Sequence, residues 1–325
     1  MSEESHILLA YGFNGDGTAV PLKGKKISLE IRNEGLSWVH LNADHHKTRA
    51  WIKKEIDYLD KIVIEALLAD ETRPRLVKFD NGSLIILRAV NLNENSEPED
   101  MTSIRMWIDG QRIISLQKRN VSAISHIENQ IKNGHAPKTS GEFITSLCTE
   151  ISNRLGPTLE EVNEMTADIE EKVLENHDIN LREDIIRVRK KVTIFKRYLA
   201  PQKEVINNLR LSNQYWLNDI DRRNLQENYD HMVRYVEDLD EIKERAQIIH
   251  DELTNSITEK LNKNMYVMSV IASIFLPLTF ITGMFGMNLL NIPFATNSDG
   301  FYILTAILVC VVGFQIAYFK RKDWF

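Results

Sequence analysis

Two long apolar stretches, Met265–Met284 and Phe301–Phe319, stand at the end of a chain whose other apolar residues come in short runs or at helical spacing. They are 20 and 19 residues long and contain no charged side chain. At about 1.5 Å of rise per residue each reaches roughly 30 Å, the thickness of a bilayer core. The pattern predicts two membrane-spanning helices. Pro277 lies inside the first, where a proline is tolerated because a neighbouring helix can satisfy the carbonyl it frees. The link between the spans, Phe285 to Gly300, holds no Lys or Arg and one acid, Asp299, whereas Lys260 and Lys263 precede the first span and Lys320-Arg321-Lys322 follow the second. Positive flanks stay cytoplasmic, so the expected protein is a multi-pass protein of the cell (inner) membrane with both termini inside. Lys320, Arg321 and Lys322 then form a basic ring at the cytoplasmic surface, and Trp324 and Phe325 suit the interfacial belt. Met1-Ser2-Glu3-Glu4 is acidic with no apolar core behind it, so a secretory signal is not expected.

Upstream, the first 139 residues alternate in type. Ile7–Tyr11, Leu36–Leu41, Leu84–Val90, Ile104–Ile108 and Arg112–Leu116 read as strands, with turn pairs at Asn81-Gly82 and Asp109-Gly110. Thr48–Ile56, Ile62–Leu68 and Ser122–Lys132 read as helices. The expected fold is an α/β cytoplasmic domain over 1–139, then a helical hairpin and stalk over 140–263, then a transmembrane hairpin with a basic tail over 264–325. In the middle region only Gly141, Gly156, Pro157 and Pro201 interrupt the chain before Pro277, and 75 residues between the last two carry neither Gly nor Pro. Met232, Tyr235, Val236, Leu239, Ile242, Ala246, Ile249, Leu253 and Ile257 recur at helical spacing there. One continuous helix from near Asn224 to Gly283, roughly 90 Å long, is predicted. Such a rod needs partners, from copies of itself or from other helices.

Charge adds a second pattern. Thr158–Asn176 and Leu181–Ala200 form an expected hairpin turning at His177-Asp178, its first arm acidic from Glu160 to Glu175 and its second basic from Arg182 to Arg197. Ion pairing across the hairpin with solvated faces is one reading; an acidic arm that gathers cations is the other. The chain's formal net charge is −6, and nucleic acid is not an expected partner. Two cysteines far apart, Cys148 and Cys310, fit a reducing compartment without a disulfide framework.

One membrane hairpin cannot enclose a water-filled path, so any pore requires an oligomer. Steps of 3.6 residues back from Gly283 select Thr279, Leu276, Ala272, Met268 or Ser269, Met265 and Asn262. This stripe is small, polar or flexible, and between its positions stand bulkier residues such as Ile271, Phe275, Phe280 and Ile281. It holds no Asp, Glu or His, which favours passage of a largely hydrated ion; close helix packing is the other use of small residues.

Gly286-Met287-Asn288 after the first span, an outer loop, a second span and a basic ending together resemble the CorA family of divalent-cation transporters. Glu71-Thr72-Arg73-Pro74-Arg75, Arg88-Ala89-Val90-Asn91-Leu92-Asn93, Pro98-Glu99-Asp100-Met101, Ser103, Arg105 and Trp107 resemble that family's zinc branch, ZntB, as do Gly283-Met284-Phe285-Gly286 and Ile292-Pro293. In the outer loop Asn291-Ile292-Pro293-Phe294 carries no acid, whereas the magnesium branch typically has acids there. The resemblance implies a homopentameric funnel in the lipid bilayer, with a pore lined by the first span and a selectivity filter at Gly286, Met287 and Asn288. Asn288 would give a ring of amides to the water shell of a divalent cation, chemistry that suits Mg²⁺; Gly286 would let the backbone turn and Met287 would pack that turn. Without the resemblance, the triplet also reads as an ordinary helix-ending turn.

The transported ion expected from this likeness is Zn²⁺, with Mg²⁺, Ni²⁺ or Co²⁺ as alternatives, and no cofactor is expected. Zinc sites favour Cys and His, and the chain has no Cys-x₂-Cys or His-x₃-His arrangement. His45-His46 with His40 is the one cluster, while His231 and His250 stand singly. An enzyme is not expected: there is no glycine-rich phosphate loop, nucleophile elbow or paired metal-ligand motif. A membrane-tethered sensor or scaffold shares the layout, and substituting Asn288 separates the two, abolishing flux in a transporter and leaving a scaffold's assembly intact.

Overall fold

A computed structural model describes residues 6–56, 59–69, 72–176, 180–287 and 298–322. The chain divides into two units, Met1–Asp251 and Glu252–Phe325. In the first, the described residues form one sheet of β1 (Ile7–Phe13), β2 (Ala19–Pro21), β3 (Ser37–Asn42), β4 (Arg75–Phe79), β5 (Gly82–Ala89), β6 (Thr102–Ile108) and β7 (Arg112–Gln117). Their order is β2-β1-β3-β7-β6-β5-β4. Every neighbouring pair is antiparallel except β3 and β7, which run parallel. The five strands read from alternation are present. The other two, β2 and β4, escape a pattern search because one has three residues and the other follows Pro74 and carries Arg75 and Lys78.

Both expected turns join antiparallel neighbours. The Asp109 carboxylate accepts the N–H groups of Gln111 and Arg112, each at 2.8 Å, and so closes the β6–β7 turn. At the Asn81-Gly82 turn the glycine is needed for close approach: a Cβ there would lie 2.6 Å from the Trp107 ring.

Helices cover both faces of the sheet. α1 (Lys25–Glu30), α2 (His46–Glu55) and α3 (Lys61–Leu68) bury Ile27, Ile52, Val63 and Leu67 against Val39, Leu41 and Leu116. Residues one position on in β3 point the other way, as strand geometry requires. There Trp38 meets Phe143 of α5 (Ser140–Asn176) with ring centroids 5.0 Å apart. α4 (Ser122–Lys132) fills the rest of that side through Ala123, Ile124, Ile127 and Ile131.

α5 and α6 (Leu181–Arg210) form the hairpin, but each is longer than its expected arm. α5 runs through Gly156-Pro157 and α6 through Pro201. The breakers are absorbed by packing: the Tyr235 hydroxyl donates to the Ser152 carbonyl at 3.2 Å, an approach that a Cβ on Gly156 would obstruct at 2.9 Å. The turn at His177-Asp178 lies outside the described residues. Ion pairing across the hairpin is not what forms: among the described residues no ion pair joins α5 to α6. Instead Glu170 of α5 pairs with Arg245, and Lys196 of α6 pairs with Asp240, both on α7 (Asp219–Phe285).

α7 begins five residues before the expected start. Asn218 and Asp221 form a reciprocal capping box, Asp221 N–H to Asn218 Oδ1 at 2.9 Å and Asn218 N–H to Asp221 Oδ2 at 3.1 Å. Met232, Val236, Leu239, Ile242, Ala246 and Ile249 are buried as the spacing demanded. Gln202 of α6 performs a less expected task. Beyond the last residue of β5 that β4 pairs, Gln202 Oε1 accepts the Arg88 N–H at 2.6 Å and Nε2 donates to the Arg88 carbonyl at 3.1 Å, so the side chain takes the place of a strand.

The second unit holds the remainder of α7 and α8 (Gly300–Arg321), both long and apolar enough to cross a membrane. Val270 and Phe319 are buried between them, and Gln315 Nε2 donates to the Ser273 carbonyl at 3.0 Å.

Candidate functional site

The face that α7 turns toward α8 is marked by reduced exposure at Val270, Ile274, Pro277 and Ile281. Ala272, Leu276, Thr279 and Gly283 each stand two residues further on, about 200° around the helix. The stripe read from sequence therefore lies on the side opposite α8. Asn262, Met265, Met268, Ser269, Ala272, Leu276, Thr279 and Gly283 are all exposed in the single chain, Leu276 at 75%. A Cβ placed on Gly283 would meet nothing within 4 Å.

The stripe's chemistry is that of neutral acceptors and apolar side chains. The Ser269 hydroxyl donates back to the Met265 carbonyl at 2.8 Å, so its proton is committed and its oxygen lone pairs face outward. Such an oxygen accepts from water, and water bound to a cation points its protons outward. A hydrated cation fits this surface better than a bare one.

At the C-terminal end of α7, Gly286 N–H bonds to the carbonyls of Thr282 at 2.9 Å and Gly283 at 3.2 Å. α7 ends at Phe285 and Gly286 begins a turn, which it enters without a positive φ. A Cβ at Gly286 would sit 3.2 Å from the Thr282 carbonyl, which gives the glycine a steric reason. Met287 is 47% exposed among the described residues. Asn288, the third residue of the triplet, lies outside the described residues, as do Ile292-Pro293, Trp324 and Phe325. At the other end of the hairpin Lys320, Arg321 and Lys322 are exposed at the close of α8, where cations suit the negative end of the helix dipole.

The histidines separate. His40 is fully buried in β3, its Nδ1 2.7 Å from the Ser115 hydroxyl, which also accepts from Trp38 Nε1 at 2.8 Å. Burial pushes its pKa down to about 4, so it is a neutral core residue. His45 and His46 stack at 4.4 Å on the start of α2, and His6 rather than His40 is their neighbour, 5.8 Å from His45. Among the described residues no three His, Cys, Asp or Glu side chains meet in a metal-ligating arrangement. The sequence reading also passed over Gln315, the one amide in an otherwise apolar span; its polarity was the available signal.

A two-span hairpin with this fold upstream has counterparts among known proteins. The family model described as CorA-like Mg2+ transporter protein matches residues 33–321. The chain belongs to the CorA-like family. Two relatives called "Zinc transport protein ZntB", from Pectobacterium atrosepticum and Pectobacterium carotovorum subsp. carotovorum, are 32% and 33% identical to this CorA-like chain; each match covers 99% of it and 97% of the relative. Among solved structures, the full-length CmaX protein superposes with a TM-score of 0.85 at 28% identity, covering 99% of both chains. The complete CorA magnesium transporter of Methanocaldococcus jannaschii gives 0.80 at 19% identity, over 98% of this chain and 99% of that one, a likeness of fold. In this CorA-like chain the motif residues of the N-terminal domain serve the framework. Arg88 donates to the carbonyls of Met101 and Thr72 at 2.7 and 2.5 Å and lies 4.6 Å from the Tyr198 ring centroid, and Trp107 Nε1 donates to Asp109 at 3.0 Å.

Proposed function

We propose that this chain carries divalent metal cations, zinc foremost, across the membrane through a pore built by several copies of α7. The observation that carries the reading is the stripe opposite α8, exposed, uncharged and continuous from Asn262 to Gly283. Relatives named for zinc transport, matched over nearly their whole length, support zinc as the cargo. A second feature supports assembly. From Thr258 to Ser269 every residue of α7 is exposed in the single chain, including Leu261, Met265, Tyr266, Val267 and Met268. A helix with apolar side chains exposed all round calls for neighbours, and further copies of the chain supply them. Five copies are implied by the family likeness. Lys260 and Lys263 before the first span and Lys320, Arg321 and Lys322 after the second support termini on the cytoplasmic side of the inner membrane. Gly286, Met287 and Asn288 are the proposed filter at the outer mouth.

Purified full-length protein in liposomes with an internal zinc dye tests this. Zn²⁺ entry that depends on protein is the expected result, and Gly283→Phe, which has space in its own chain, lowers it at least about tenfold by narrowing the path. Absence of divalent flux under any ion or proton gradient would sink the reading. A magnesium pathway is the second reading, favoured by the family model's description and by a stripe whose polar members, Asn262, Ser269 and Thr279, are oxygen acceptors, without thiolate or imidazole. Competition among Zn²⁺, Mg²⁺, Ni²⁺ and Co²⁺ in the same liposomes decides between them.

A further inference from the structure

Pro277 has no N–H, so the hydrogen bond that residue 277 of an α-helix would give to the carbonyl of Ser273 cannot form, and the proline ring crowds that same carbonyl. In a bilayer an unsatisfied backbone carbonyl has no water to turn to. Gln315 Nε2 lies 3.0 Å from that oxygen. The amide reaches across from α8 and supplies the donor that proline removed. Gln315 otherwise has little reason to be where it is, because a polar side chain within a membrane span is expensive. Its neighbours Val311, Val312, Phe314 and Ile316 are apolar. Only the donor end of the amide is engaged: Oε1 is buried and accepts no bond among the described residues. Leu has similar volume and no donor, and an ionised Glu has only acceptors.

We infer that Gln315 is a positioning residue for conduction: by bonding the Ser273 carbonyl that Pro277 frees, it fixes α7 at the turn between Ala272 and Leu276 and so sets how the stripe faces the path. The conduction half of this rests on the transport reading, while the bond itself does not. At the proline the helix's own ladder lacks one bond, and the Gln315 amide supplies a bond to the carbonyl left over. Loss of that bond leaves the Ser273 carbonyl unsatisfied and lets α7 bend more readily at Pro277, between Ala272 and Leu276.

A double-mutant cycle on the full-length protein tests it, using Gln315→Leu, Pro277→Ala and both together. Thermal unfolding of the purified protein and Zn²⁺ flux in liposomes are the two readouts. In the parent background Gln315→Leu lowers the unfolding midpoint and reduces the maximal flux about three- to tenfold, the range of one interhelical bond, with half-saturating Zn²⁺ unchanged. With Ala at 277 the backbone N–H returns to Ser273, and the same change at 315 has little effect on the midpoint. A side chain that only fills space would lose as much stability in either background, and that additive result would overturn the inference. If Gln315→Leu fails to assemble, recovery in the double variant supports the inference and failure of the double variant overturns it. If the parent carries no zinc, the transport reading falls while the unfolding cycle still decides whether Gln315 replaces the missing bond.

Discussion

His40 shows how a single residue's surroundings decide its role. An imidazole next to two others in sequence invites a metal assignment, yet β3 turns it inward, against Ser115 and beside Trp38, and leaves His45 and His46 on the surface. The cost of charging it there holds its pKa at about 4, below the ordinary 6.5. As pH falls below 6.5 the unfolded chain takes up a proton that the folded chain refuses until about 4. His40 therefore contributes fully to stability above pH 6.5, and that contribution is lost as pH falls from 6.5 toward 4, by at most about 1.4 kcal/mol per pH unit. Thermal unfolding of His40→Asn between pH 7 and 4 is expected to show a flatter pH dependence than the parent. An identical slope would mean that another group governs it. Burial of this kind depends on which strand lies next to β3, and the pairing with β7, 75 residues away at His40 and Ser115, has no local signature.

At the level of elements, the sequence was most informative where one helix or strand carries its own period. α7 and the five alternating strands were legible because the pattern needs no partner to be seen. The start of α7 was misjudged by following apolar spacing alone, although Asn218 and Asp221 three residues apart were there to be read as a capping box. The Gln202 bridge to β5 was not legible, since it joins positions 114 apart. It makes a definite prediction. Gln202→Leu removes both bonds that its amide makes to the Arg88 backbone in a part-buried setting, and should lower stability by about 1–3 kcal/mol in chemical denaturation. A change within error would show that other groups or solvent readily replace the amide. The charge division between α5 and α6 illustrates the same limit: the signs were plain, but Glu170 and Lys196 pair with Arg245 and Asp240 on a third helix, and Lys191 with Glu97 and Glu99 after β5.

For the whole molecule, the layout of an α/β domain, helical hairpin, long helix and two membrane spans followed from breaker spacing and apolar length. The stripe's place opposite α8 required the structure, because the second span has no periodicity strong enough to say which face it offers. Assembly is the property that most directly tests the arrangement. Light scattering on the full chain in detergent should return five times the 37.6 kDa of one chain, and a monomer mass would contradict a pore built from α7. Assembly also sharpens what the ends of the sheet must do. Several sheets held at high local concentration would, with bare margins, zip together through their unpaired backbone groups. One margin here is the three-residue β2, closed by Pro21, and the other is β4, where Arg75 and Lys78 lie exposed. Neither offers a long, flat, apolar template. If the chain assembles as proposed, the borders of its sheet carry the means of keeping its copies from aggregating.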